Sequence, residues 1–162
     1  MRKFNFNGLF IYDMANNHQG DVEHGLNIIR AMGEVSKETD VRGALKFQFR
    51  NIDTFIHPDY MNKKDIPHIP RFVDTRLNND DYKILTNEVR KQELITICTP
   101  FDEESVDLIL KLDIEIIKIA SCSANDYPLL ERVAEANRPV IVSTAGLTIG
   151  QIDRLVSFLD YK

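Results

Sequence analysis

The sequence predicts an α/β fold built on a parallel β-sheet, and three observations carry that expectation. Short apolar runs rich in β-branched or aromatic residues occur at 9–14, 43–49, 94–99, 114–120 and 140–144, with the length and continuity of strands buried on both faces. Amphipathic stretches with recognisable caps separate them, so strand and helix alternate roughly five times. Two lysines, Lys46 and Lys118, stand in the middle of such strands and constrain what the sheet faces.

The first run leads through a polar turn, Asn16 to Gly20, to Asp21, which is positioned to cap a helix whose apolar face carries Val22, Leu26, Ile29 and Met32. The second run alternates, with Ala44, Lys46 and Gln48 on one side and Leu45, Phe47 and Phe49 on the other. From Asn51 to Asn79 three prolines and two histidines interrupt any period, so a long irregular excursion is expected there, and such loops often cover a site. A helix from about Asp80 to Lys91 follows, with Ile84, Leu85 and Val89 on one side. After the third run Asp102 caps a helix carrying Val106, Ile109 and Leu110. After the fourth, Asp126 and Pro128 open a helix through Leu130, Val133 and Ala134 that Asn137 and Pro139 end. Thr148 with Gln151 makes a capping box before Ile152, Leu155, Val156 and Leu159.

Two architectures accommodate this order. An open doubly wound sheet suits the length, whereas a (β/α)8 barrel takes about 250 residues and would be incomplete here, with about five β-α units present. The lysines favour the barrel. In an open sheet helices cover both faces and would desolvate a mid-strand ammonium group, while in a barrel the same face looks into a lumen with a polar mouth. In the open-sheet alternative both lysines snorkel from strand ends. The expected domain is therefore 1–162, an N-terminal portion of a TIM-barrel-type domain.

Twenty Lys and Arg against twenty-five Asp and Glu give the 162 residues a net charge of −5, and 43% are hydrophobic. This composition excludes collagen-like, disordered and disulfide-scaffold classes. With no long basic run, it also argues against nucleic acid or an anionic membrane surface as partner. No apolar stretch approaches a signal peptide or a membrane span, so a cytoplasmic protein is expected, with Cys98 and Cys122 as reduced, largely buried thiols.

Polar groups gather at the carboxyl ends of the strands: Asp13, Asn16, Asn17 and His18 after the first, Lys46 and Gln48 at the second, Thr99 and Asp102 after the third. Lys118, Ser121 and Ser123 belong to the fourth, and Ser143 and Thr144 to the fifth. In α/β proteins ligands bind at this edge. Two cations with neutral donors suit a small phosphate- or carboxylate-bearing metabolite. His18 reads as a residue that ties its turn together, His24, His57 and His68 as surface residues, and Asp102 with Ser105 as a helix cap. Cys122, between two serines, lacks a recognisable base partner for nucleophilic work.

The segments Asn16-Asn17-His18-Gln19-Gly20-Asp21, Leu45-Lys46-Phe47-Gln48, Thr99-Pro100-Phe101-Asp102, Lys118-Ile119-Ala120-Ser121 and Pro139-Val140-Ile141-Val142-Ser143-Thr144 occur in an order that resembles the sialic acid synthase family. That resemblance implies a barrel condensing phosphoenolpyruvate with an amino-sugar aldehyde such as N-acetylmannosamine. It implies Asp13 as a catalytic carboxylate, and Lys46, Gln48, Thr99, Lys118, Ser121 and Ser143 as the groups that hold phosphoenolpyruvate. It also implies a divalent metal, Mn or Mg, with no ligands in this chain. Three positions depart from the family pattern: Asp13 stands for a usual Glu, Cys122-Ser123 for Gly-Glu, and Ala145-Gly146 for Gly-Met. The phosphoenolpyruvate side is thus retained and the sugar side altered, and a non-catalytic anion-binding or assembly module is the alternative reading. An incomplete barrel has unpaired strand edges, so the chain is expected to be a homo-oligomer or part of a longer chain.

Overall fold

The computed structural model describes residues 4–61, 63 and 65–161. The strands are β1 (Leu9–Ala15), β2 (Arg42–Phe49), β3 (Ile95–Pro100), β4 (Ile116–Ile119) and β5 (Val140–Val142), all parallel, in the sheet order β1-β2-β3-β4-β5. Sequential order without reversal is the topology of a barrel wall; a doubly wound sheet reverses at its switch point. The expected incomplete barrel-type architecture is what the chain forms.

The helices are α1 (Val22–Glu38), α2 (Ile52–Phe55), α3 (Ile69–Asp74), α4 (Asn79–Lys91), α5 (Glu103–Lys111), α6 (Tyr127–Glu135) and α7 (Ile149–Tyr161). Their starts follow the chemistry of the sequence. Asp21 accepts from the Glu23 and His24 amides, Asp102 from Ser105, and Asp126 from Leu129, while Thr148 and Gln151 bond reciprocally. The main core lies between helices and sheet, where Leu45, Phe47, Phe49, Cys98, Ile117 and Ile119 meet Ile29, Leu85, Val89, Val106, Ile109 and Leu129. The opposite face carries a smaller cluster of Ala44, Ile97 and Ile116 with Leu9, Ile95 and Ile141. This second face is the lumen side.

Four expectations need correction. The excursion is not wholly irregular: α2, a 3-10 turn at Pro58–Tyr60 and α3 lie within it, anchored by buried Ile52, Ile56 and Leu77. One-turn helices are too short to impose a periodic pattern on sequence. Ile84 is exposed, whereas Leu85 and Val89 are buried as expected and are joined by Thr86 and Glu88. Cys122 is exposed, although Cys98 is buried as expected. β5 ends at Val142, so Ser143 and Thr144 follow the strand; the Ser143 amide still extends the ladder, donating to the Ile119 carbonyl at 3.0 Å. Met1 to Lys3 of the expected signal-free terminus, and Asn62 and Lys64 of the excursion, lie outside the described residues.

Candidate active site

β1 delivers Asp13 to the lumen side. Asp13 pairs in register with Lys46, and the register then slips between Asp13 and Ala15, which adopts φ 45°. A bulge at a strand's end re-aims its side chains. Asp13 Oδ1 lies 2.8 Å from Lys46 Nζ, and the lysine side chain is 10% exposed against 59% for the aspartate. The pair is therefore a buried cation held by a carboxylate that still meets solvent.

Lys118 stands on the same face, two residues after the lumen-side Ile116. Among the described residues it forms no ion pair. Burial is the main cause that lowers its pKa below the ordinary lysine value, and the charge of nearby Lys46 lowers it further, while Asp13 and Cys122 act in the opposite sense. Two like charges thus share one partly desolvated space. Gln48 and Thr99 are register neighbours on β2 and β3. Thr99 is 1% exposed, and its Oγ1 has no hydrogen-bond partner among the described residues. A buried hydroxyl without a partner is unusual and costs stability unless a ligand oxygen meets it.

Ser121 opens a 3-10 turn, Ser121–Ser123, directly after β4, and Ser143 follows β5, so both lie at the carboxyl edge with the lysines. Asp13 and Lys46 are in contact, Lys118 is in electrostatic range of both, and Gln48 and Thr99 are adjacent across the ladder. Ser121 and Ser143 share the edge, and among the described residues neither hydrogen-bonds to Lys46 or Lys118.

The remaining candidates resolve locally. His18 is fully buried, its Nδ1 accepts the Gly20 amide at 3.1 Å, and burial lowers its pKa to about 4, helped by His24. It is a turn residue. His24, His57 and His68 are exposed. Asp102 caps α5 through Oδ1 and with Oδ2 accepts the Asn51 amide at 2.7 Å, a second task the sequence does not reveal.

Arg50 was no candidate in the sequence, yet it lies at the same mouth. Its Nη2 donates to Gln48 Oε1 at 3.3 Å, and its guanidinium carbon sits 3.8 Å from the centroid of Phe101, 4.4 Å from Phe72 and 5.8 Å from Phe55. An arginine immediately after a strand that carries Lys46 and Gln48 was the available signal. The rings come from positions too scattered to form a motif.

Comparisons with known proteins bear on this arrangement. The NeuB family matches residues 34–162. An N,N'-diacetyllegionaminic acid synthase of Campylobacter jejuni is 28% identical over 159 residues, which make up 93% of this chain and 46% of that protein. The crystal structure of a Chromobacterium violaceum protein assigned as spore coat polysaccharide biosynthesis protein E is similar with a TM-score of 0.93 at 49% identity, over 96% of this chain and 46% of its own. An N-acetylneuraminic acid (sialic acid) synthetase of Leptospira borgpetersenii serovar Hardjo-bovis, solved with citrate, has a TM-score of 0.78 at 24% identity, over 95% of this chain and 50% of its own. At that identity the likeness is one of fold. The chain spans half or less of the length of each of these proteins.

Proposed function

The chain belongs to the NeuB family, and on that premise we propose that it carries the phosphoenolpyruvate-binding part of a nonulosonic acid synthase, which joins phosphoenolpyruvate to an N-acetylmannosamine-like amino-sugar aldehyde. The observation that supports this reading is the pair of lysines. Lys46 and Lys118 share a partly desolvated face with one ion-pairing carboxylate, Asp13, so the site holds an excess positive charge in a chain of net charge −5. A ligand bearing both a phosphate and a carboxylate relieves that repulsion. In this proposal Lys46, Gln48, Thr99, Lys118, Ser121 and Ser143 hold its oxygens, and the partnerless Thr99 hydroxyl gains an acceptor.

The chemistry follows from holding the enol in place. C3 of phosphoenolpyruvate attacks the aldehyde carbon, forming the new C–C bond, and the aldehyde oxygen takes a proton. Positive charge develops at C2, water adds there, and the tetrahedral centre expels inorganic phosphate to leave a 2-keto acid. Lysines fixed around the phosphate and carboxylate orient C3 and stabilise the departing phosphate. Asp13, open to solvent beside Lys46, is the group we assign to proton handling at this edge.

The divalent cation implied by the resemblance would supply polarisation of the aldehyde oxygen or of the attacking water. No group of three or more His, Cys, Asp or Glu clusters among the described residues, and Lys46 and Lys118 oppose a cation at the mouth, so these residues do not fit it. Its ligands are proposed to lie outside this chain. A non-catalytic anion-binding module is the second reading, favoured by Ser123 where the family carries a glutamate.

Calorimetric titration with phosphoenolpyruvate tests the proposal. Lys118→Ala should weaken binding at least about tenfold, since a charge-assisted hydrogen bond contributes about 1.5–3 kcal/mol. Equal affinities would remove Lys118 from the site. Release of inorganic phosphate from phosphoenolpyruvate and N-acetylmannosamine separates the synthase from the binding module.

A further inference from the structure

Arg50 is held as few arginines are. Its guanidinium face is covered by Phe101, Phe72 and Phe55, a contact that uses the π-facing surface of the cation and leaves its in-plane N–H groups to find acceptors. Of those donors only Nη2 has a protein acceptor among the described residues, Gln48 Oε1, and Nε is buried without one. No carboxylate pairs with it among the described residues. The nearby Asp102 has both oxygens engaged, by the Ser105 and Asn51 amides. The backbone is equally fixed, because the Phe101 amide donates to the Phe49 carbonyl at 3.1 Å and Asp102 grips residue 51.

A half-buried arginine whose Nε is buried without an acceptor, and which is held by aromatic rings and bonded to a residue of the ligand-binding edge, is arranged to receive an anion. Arg50 follows β2 directly and bonds Gln48, two residues along the strand from Lys46, so it borders the lysine site. Two of its three rings, Phe55 and Phe72, come from the excursion, so it sits on the side of the mouth that α2 and α3 cover.

We propose that Arg50 is a specificity-determining residue that binds an oxyanion, a carboxylate or phosphate, carried by the acceptor substrate, at a subsite separate from that of phosphoenolpyruvate. This rests on the synthase reading above. The aromatic rings fix the guanidinium fork, and Gln48 Oε1 anchors its Nη2 end. An acceptor with an anionic substituent is selected over a neutral sugar because a neutral acceptor leaves the guanidinium N–H groups unpaired.

The test uses the whole protein and two simple probes, inorganic phosphate and acetate, titrated calorimetrically after saturation with phosphoenolpyruvate. The parent should bind one of them, phosphate marking a phosphorylated acceptor and acetate a carboxylated one. Arg50→Gln should weaken that binding at least about tenfold while leaving phosphoenolpyruvate affinity unchanged. Arg50→Lys, which keeps the charge and stem but lacks the fork, should also bind more weakly, and it decides the matter should Arg50→Gln fail to fold. Failure of the parent to bind either probe overturns the proposal. So does equal affinity in the variants with only a lowered melting temperature, because Arg50 is then a clamp for the excursion and nothing more. Should phosphoenolpyruvate itself not bind, the synthase reading falls, and the same comparison of parent with variant, made without it, still decides the role of Arg50.

Discussion

His18 shows how a single imidazole can be committed to one protonation state. Its Nδ1 must keep a lone pair to accept the Gly20 amide, and the ring is fully buried beside Tyr82, so the neutral form is the native one. Its pKa falls from 6.5 to about 4. Between those values the unfolded chain binds a proton that the folded chain refuses, so stability from this group is intact above about pH 6.5 and is lost as pH falls toward 4. The loss should reach about 3 kcal/mol at most. Urea unfolding from pH 7 to 4 should show a component of that size which His18→Gln lacks. Parallel profiles for the two proteins would mean that His18 carries no such linkage. Its structural role was legible because a histidine in a polar turn has backbone amides within reach. Arg50 was not legible, because its environment comes from three rings spread between positions 55 and 101.

The turn after β1 and the end of α3 are joined at a contact with no room for a side chain. Gly20 adopts φ +77°, and a Cβ there would lie 2.7 Å from the Asp74 carbonyl oxygen, a backbone atom that cannot swing away. Gly146 has the same φ with nothing within 4 Å. Gly146→Ala should therefore cost only the left-handed penalty of about 1–2 kcal/mol. Gly20→Ala should cost clearly more and expose the 51–79 segment to limited proteolysis. Equal unfolding free energies for the two variants would show that the excursion does not rest on this turn. Helix starts were readable here because a cap is a contact between residues two or three apart. The short helices of the excursion were not readable, since α2 and α3 depend on Ile52, Ile56 and Leu77 being buried by distant parts of the chain.

Across the sheet as a whole, among the described residues β1 bonds only to β2 and β5 only to β4, which leaves one edge open on each. Between these edges Phe6, Leu9, Ile11, Val140 and Ile141 line an open apolar hollow of about 370 Å3. Unpaired backbone groups beside apolar side chains invite association. The 162-residue chain by itself should run as an oligomer in light scattering, with copies packing over the hollow. A monomer that persists at high concentration would show that edges and hollow are tolerated without cover. Among the described residues no helix is long and apolar enough to cross a membrane.

The alternation of strand and helix, the caps and the two faces of β2 were all determined by the sequence, because each follows from neighbours along the chain and from a period of two or 3.6. The choice of barrel wall over doubly wound sheet was legible through Lys46 and Lys118, since charge in mid-strand is tolerable only beside a polar mouth. Folding alone decided the rest. It joined Asp13 to Lys46 across strands separated by α1, brought Lys46 and Lys118 close enough to repel, and closed Phe55, Phe72 and Phe101 around Arg50. Such contacts depend on register and on crossovers between distant segments, which local propensity does not encode.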